Sequence, residues 1–276
     1  MIKNSRMAIR VLVSVVTAAA IWNGAAYADE STTWKQVREA GVLRCGAALA
    51  PPWVMRDPIT KVYSGLFPDL CRGFGEDVLH VKVDFVDTGW DNIVAGLQSG
   101  KWELSQALNN TPERAKAIAF SSAVMADAVS FVYNKNNPKF AGPIKDVHDL
   151  DKPNINIAVI AGSSNERIIT ALFKNAKITR LPGPSECQLA LMTKRADMVF
   201  DNKSANVLIS EANKEWSETY EPTPPLTSQS VTFGIRKDTP KEDLELLDKF
   251  INQKVQSGEV DKLFQKAVQE MVTKKS

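Results

Sequence analysis

Asn109-Asn110-Thr111-Pro112-Glu113-Arg114-Ala115-Lys116-Ala117-Ile118-Ala119-Phe120-Ser121 joins a helix start, a single arginine and an apolar run. Thr111 and Pro112 read as N-cap and first helical residue, because proline's missing N–H costs nothing there. Arg114 then falls in the first turn, although cations favour the other end of a helix dipole. An arginine among unpaired N–H groups suits an anion, which takes a bidentate bond from the guanidinium and further bonds from the backbone. The same residues also allow a surface arginine paired with Glu113 or another nearby acid.

Upstream, residues 41–46 read as a strand, and Ala50-Pro51-Pro52-Trp53 breaks regular structure and brings an indole into the next loop. Gly65 opens a helix with Asp69 in its first turn. Val81, Val83 and Phe85 alternate with Lys82 and Asp84, the pattern of a half-buried strand. Trp90, Ile93, Val94 and Leu97 form a helical stripe that Gly100 stops. Strands and helices alternate, as in an α/β fold.

Downstream, residues 129–133 are β-rich and 134–143 are polar and turn-rich. A second α/β unit starts near Asp149, with a strand over 155–160 and a helix over 167–174. Ser185 is expected to cap another helix running through Lys194, and 197–200 reads as a short strand. After the proline-rich connection 222–225, Val231, Phe233 and Ile235 alternate as a strand returning to the first unit. Two helices close the chain, one carrying Leu244, Leu247, Ile251 and Val255, the other Val260, Leu263, Phe264, Ala267, Val268 and Met271. The expected architecture is therefore two lobes, 29–128 plus 232–276 and 134–226, with no single sheet running through both Val83 and Val159.

Thr111, Arg114, Ile118, Phe120 and Ser121 fit T-x-x-R-x-x-x-I-x-F-S. Gly41, Leu43, Gly46, Pro51, Pro52, Trp53, Gly65, Asp69, Leu70, Trp90, Asp91, Leu97, Ser99, Gly100 and Lys101 fit a second, longer pattern. On these motifs the chain resembles the family 3 periplasmic solute-binding proteins, the amino-acid type that serves ABC transporters. The resemblance covers nearly the whole mature chain. It implies a two-lobed α/β periplasmic-binding-protein fold of type II, with a two-stranded hinge at 129–133 and 227–231 and a central ligand cleft. It also implies that Arg114 grips the ligand's α-carboxylate.

Gly162-Ser163-Ser164-Asn165 is the second candidate site: a strand end feeding a helix start presents free N–H groups. Ser163-x-x-Glu166 is also a capping box, which suffices to close the helix. The resemblance adds ligand contacts from Ser163, Ser164 and Asn165. Trp53 and Trp90 read either as core residues or, in loops facing the family's cleft, as ligand contacts. Asp69 and Asp91 match family positions too, but helix capping explains them.

Three positions depart from the family pattern. The Thr or Ser five residues before the arginine is Asn109, and the first loop has Ala47 and Ala48 where many members have an acid. The acid that accepts an α-ammonium lies seven residues after the R-x-D arginine; counted from Arg195, that residue is Asn202, with Asp201 one before it. Successive strand side chains point to opposite faces. Asp201 is therefore expected to face away from the cleft unless the strand end is displaced.

Residues 1–28 have the form of a signal peptide. Lys3, Arg6 and Arg10 are its basic region, 11–21 its apolar core and Ala26-Tyr27-Ala28 its cleavage site. Cleavage after Ala28 lowers Lys+Arg from 34 to 31 against 32 Asp+Glu, giving a mature net charge of about −1. That balance removes the main support for nucleic-acid binding. The composition, 44% hydrophobic and 24% charged, is that of a globular protein. Cys45, Cys71 and Cys187 permit at most one internal disulfide. Cys45 and Cys71 read either as that pair or as small buried hydrophobes. His80 and His148 lack metal-ligand spacing.

The reading is a periplasmic receptor, not an enzyme: a monomer without cofactor, metal or nucleic-acid partner. It captures a small carboxylate-bearing solute, an amino acid or related organic acid, for an inner-membrane ABC permease and its ATPase. Two alternatives stand beside it. One is a periplasmic dehydratase of the cyclohexadienyl-dehydratase type, although the chain offers no Ser-His-acid order, metal cluster or evident buried base. The other is a sensory or accessory solute receptor.

Overall fold

A computed structural model describes residues 32–273. The signal-peptide reading at 1–28, the beginning of the first lobe at 29–31 and the last three residues lie outside the described residues. The first half of the chain runs α1 (Thr33–Ala40), β1 (Val42–Ala47), β2 (Met55–Arg56), β3 (Tyr63–Ser64), α2 (Leu66–Arg72), β4 (Lys82–Asp87), α3 (Ile93–Gln98), β5 (Leu104–Asn109), α4 (Pro112–Ala117), β6 (Ile118–Phe120) and β7 (Met125–Asn134). There follow β8 (Asn156–Ile160), α5 (Ser164–Leu172), β9 (Lys177–Leu181), α6 (Pro184–Met192), β10 (Met198–Asn202) and α7 (Lys203–Glu211). The chain closes with β11 (Ser217–Tyr220), β12 (Ser228–Arg236), α8 (Lys241–Gln256) and α9 (Glu259–Thr273).

Parallel pairing of β1 with β4 and β5 builds the first sheet, and β12 returns antiparallel beside β5. Its core gathers Trp34, Phe67, Leu70, Phe233 and Leu247. The Phe67 and Phe233 rings meet edge to face at 4.9 Å, and each such burial contributes about 1.5–3 kcal/mol. Helix α1 is pinned to α8 because the Trp34 indole donates to the Asp243 carbonyl at 2.7 Å. The C-terminal helices are thereby held on the first lobe. Cys45 on β1 is joined to Cys71 on α2, while Cys187 stays buried with its thiol pushed up to about 12 by burial.

The second core collects Phe131, Ile157, Val159, Met198 and Phe200 around β7, β8 and β10. Strand adjacency nevertheless runs unbroken as β4-β1-β5-β12-β7-β10-β8-β9, so the expectation of unconnected sheets through Val83 and Val159 is corrected. The link is end to end along one strand. Residues 125–128 of β7 pair with 228–231, and residues 129–133 of the same strand pair with β10. Helix α6 also differs from expectation. It starts at Pro184 with Gly183 as its uncapped N-cap, so Ser185 sits inside the first turn.

Candidate functional site

The first half of the site is set where β5 ends and α4 begins. Thr111 Oγ1 accepts from the Arg114 N–H at 3.3 Å, closing the first turn as the sequence dictates. Arg114 is only 3% exposed. Its Nη1 donates to the Asn109 carbonyl at 3.3 Å, its Cζ lies 5.8 Å from the centre of the Trp90 ring, and its Nε has no partner. Glu113 does not neutralise it, pairing instead with Arg167 of α5 at 2.8 Å. Burial, helped by Arg167 and opposed by the charge of Glu113, pulls the guanidinium down to about 10. Buried cations are normally paired with acids, and this one is chemically suited to receive an anion.

The second half starts where β8 ends. Gly162 takes a left-handed φ of 74°, and Ser163 caps α5, its Oγ accepting from the Glu166 N–H at 3.1 Å. The Glu166 carboxylate reaches the N–H of Gly162 at 2.7 Å, so the capping box closes one residue earlier than the motif predicts. Capping leaves Ser164 free to bond across the cleft, where it accepts from Asn109 Nδ2 at 2.8 Å. Beside that bond the two loops nearly touch, because a Cβ on Gly162 would lie 2.5 Å from the Asp91 nitrogen. Gly162→Ala is expected to hold the loops apart. The effect should appear as a larger radius of gyration in small-angle scattering, with stability lowered by no more than the roughly 1–2 kcal/mol of a left-handed alanine. An unchanged radius would mean that the loops tolerate the methyl.

The third wall is the junction of β10 and α7. Asn165 Nδ2 donates to Asp201 Oδ1 at 2.9 Å and to Asn202 Oδ1 at 3.3 Å. Both side chains therefore face Asn165, and the expectation that Asp201 points away is corrected. The cause is local: Asn202 is the N-cap position of α7, with φ −57° and ψ 141°, so the strand alternation ends there. Burial pushes the Asp201 carboxyl up to about 6, with bonds from Asn202 and Asn165 opposing and the nearby Asp127 adding to the rise. Asp127 is itself raised by burial, and it accepts from Ser204 Oγ at 2.6 Å.

These walls enclose a cavity of about 30 Å³. It is lined by Trp53, Trp90 and Asn109 from the first lobe, and by Ser163, Ser164, Asn165, Asp201 and Asn202 from the second. Arg114 is not on the lining but abuts it through Asn109 and Trp90. Ala50, Pro51, Ala107, Ile160, Ser204 and Ala205 complete the lining and were not among the expected residues. Pro51 was within reach of a sequence argument, since it stands two residues before Trp53 in the same loop. Ser204 and Ala205 lie on α7, which has no clear periodic signal. Asp69 pairs with Arg72 and Lys266, and neither it nor Asp91 lines the cavity.

A two-lobed α/β fold with a polar cavity between its halves defines a type II periplasmic binding protein. Residues 43–270 match the model of the bacterial extracellular solute-binding proteins, family 3, and the chain belongs to that family. It is 24% identical to the L-cystine-binding protein TcyA of Bacillus subtilis (strain 168), over 99% of this chain and 100% of that protein. Among solved structures it is similar to an ancestral amino acid-binding protein, AncCDT-1, described as a precursor of cyclohexadienyl dehydratase. That match has 29% identity and a TM-score of 0.76, covering 86% of this chain and 99% of the other. The solute receptor for L-cysteine of Neisseria gonorrhoeae shares the fold at 22% identity and a TM-score of 0.75, covering 89% and 96% of the two chains.

Proposed function

We propose that this chain is the periplasmic substrate-binding component of an ABC importer, exported by a signal peptide cleaved after Ala28. It captures a small carboxylate-bearing solute, an amino acid or related organic acid, by closing its two lobes. The observation that carries this reading is Arg114, a buried guanidinium with an unpartnered Nε and no acid of its own. A ligand carboxylate supplies the missing charge, and Asn109, Ser163, Ser164 and Asn165 complete its shell from the two lobes. The relatives support it, being receptors for L-cystine and L-cysteine and an ancestral amino acid-binding protein.

The lobes in this reading are 29–128 plus 232–276 and 134–226. The hinge bends where 125–128 pairs with 228–231, on one strand slightly ahead of 129–133. A ligand touching both lobes favours the closed form, and an inner-membrane permease with its ATPase then receives the loaded monomer. The deciding experiment is a thermal-shift screen of amino and organic acids on the purified mature protein. A true ligand raises the midpoint in proportion to the logarithm of its concentration over Kd. A screen in which no carboxylate shifts the midpoint would sink the reading.

One observation favours a second reading. Asp201, whose carboxyl is pushed up to about 6 chiefly by desolvation, has the proton-donor character that a dehydratase requires. Turnover of a prephenate-type substrate, as opposed to saturable binding alone, would separate the two.

A further inference from the structure

The chain gives the indole N–H of Trp34 to the Asp243 carbonyl at 2.7 Å, that of Trp102 to Ser105 Oγ at 2.8 Å and that of Trp90 to the Leu49 carbonyl at 3.0 Å. Among the buried indoles of the described residues, Trp53 differs. It is 2% exposed, its Nε1 has no partner, and it lines the cavity. A buried donor without an acceptor opposes folding, and native structures retain few of them.

The backbone around Trp53 is fixed. Its N–H donates to the Ala50 carbonyl at 2.8 Å, and its carbonyl accepts from Phe67 at 3.0 Å, at the start of α2. Gly65 packs so closely that a Cβ there would lie 2.7 Å from the Trp53 oxygen. The indole is thus presented by a rigid loop, which suits a recognition group. A further unpartnered atom belongs to a residue of the same cavity, Asn165 Oδ1 on the opposite wall. The first lobe therefore offers a donor there and the second an acceptor.

We propose that the Trp53 indole N–H is a specificity-determining donor, and that the solute carries a neutral oxygen acceptor besides its carboxylate. The inference rests on the reading above in that Arg114 already takes the carboxylate, which leaves Trp53 to another group. The acceptor is neutral because Asp201, on the same cavity, disfavours a second anion. Hydroxyl and amide oxygens fit this description.

Calorimetry on the mature protein tests it with matched pairs: L-threonine with L-valine, L-asparagine with L-leucine, and 3-hydroxybutyrate with 3-methylbutyrate. At least one oxygen-bearing member should bind about 30-fold more tightly than its alkyl partner, because a site built for a hydrogen bond rejects the analogue that lacks it. Trp53→Phe should bring that ratio to within about 3-fold. Replacing the indole by its benzothiophene isostere keeps the ring's shape and removes only the N–H, so it should act the same way even if Trp53→Phe folds poorly. Equal binding within every pair, binding by the alkyl members alone, or a ratio that survives both replacements overturns the proposal. Arg114→Ala should weaken both members of a pair alike. If no acid of either kind binds, the carboxylate reading has failed and takes this inference with it; equal binding within the pairs removes only the role of Trp53.

Discussion

Arg114→Ala is expected to weaken the best carboxylate ligand by roughly 2–5 kcal/mol while leaving the free protein at least as stable as before. The loss follows from removing one partner of a desolvated charge pair, so that the carboxylate is left buried without its cation. The retained stability follows from the free protein's own electrostatics. Burial pulls the guanidinium down to about 10, so the folded state penalises the charged form throughout the range below that value. At pH 7 the whole penalty is present, and it disappears only as the pH rises through the folded value. Alanine removes it, at the expense of the guanidinium's contact over Trp90. Denaturant titrations with and without a saturating carboxylate measure both effects. Arg114→Lys should fall between, because a point charge cannot reproduce the bidentate fork. Unchanged affinity in Arg114→Ala, or a large drop in the stability of the free protein, would mean that the arginine serves the fold and not a ligand.

Features of the fold that rest on local chemistry were legible. Thr111 and Pro112 start a helix wherever they sit, and the alternation at Val81, Val83 and Phe85 predicts β4. Strand β5, which carries Asn109 to the site, was not read, and the reason is physical. It is buried along its whole length, with Ser105 and Gln106 among the buried residues, so no alternation marks it. The change of partner along β7 was not legible either, because it falls inside a single ten-residue strand whose sequence does not mark it. Trp53 and Trp90 were identifiable as candidates, yet the contrast between a satisfied indole and an unsatisfied one exists only in three dimensions. The orientation of Asp201 failed for a related reason. The period-2 rule holds inside a strand, whereas Asp201 and Asn202 sit where β10 gives way to α7.

That junction sets the second large effect. If the solute carries an α-ammonium, Asp201 is its carboxylate partner, and Asp201→Ala should cost roughly 2–5 kcal/mol of affinity for the amino acid. A deaminated analogue should bind Asp201→Ala at least as well as the unmodified protein, since no ammonium is left unpaired and a carboxylate that would repel the ligand's own has been removed. The pH dependence has a definite sign. The Asp201 carboxyl sits near 6 in the folded protein, against an ordinary 3.8, so the folded state keeps a proton that the unfolded chain releases. Stability from this group is lost as pH rises from about 4 to about 6 and stays lost above, and Asp201→Asn should flatten that part of the profile. An ammonium ligand requires the ionised carboxylate, so its binding expels the proton and weakens about tenfold on going from pH 7 to pH 5. The deaminated analogue should show no such loss. Asn202→Asp adds a like charge beside Asp201, with Asn165 as the donor they share, so its gain for the amino acid should be small. An amino acid whose affinity is flat between pH 5 and pH 7 and unaffected by Asp201→Ala would show that its ammonium is held elsewhere.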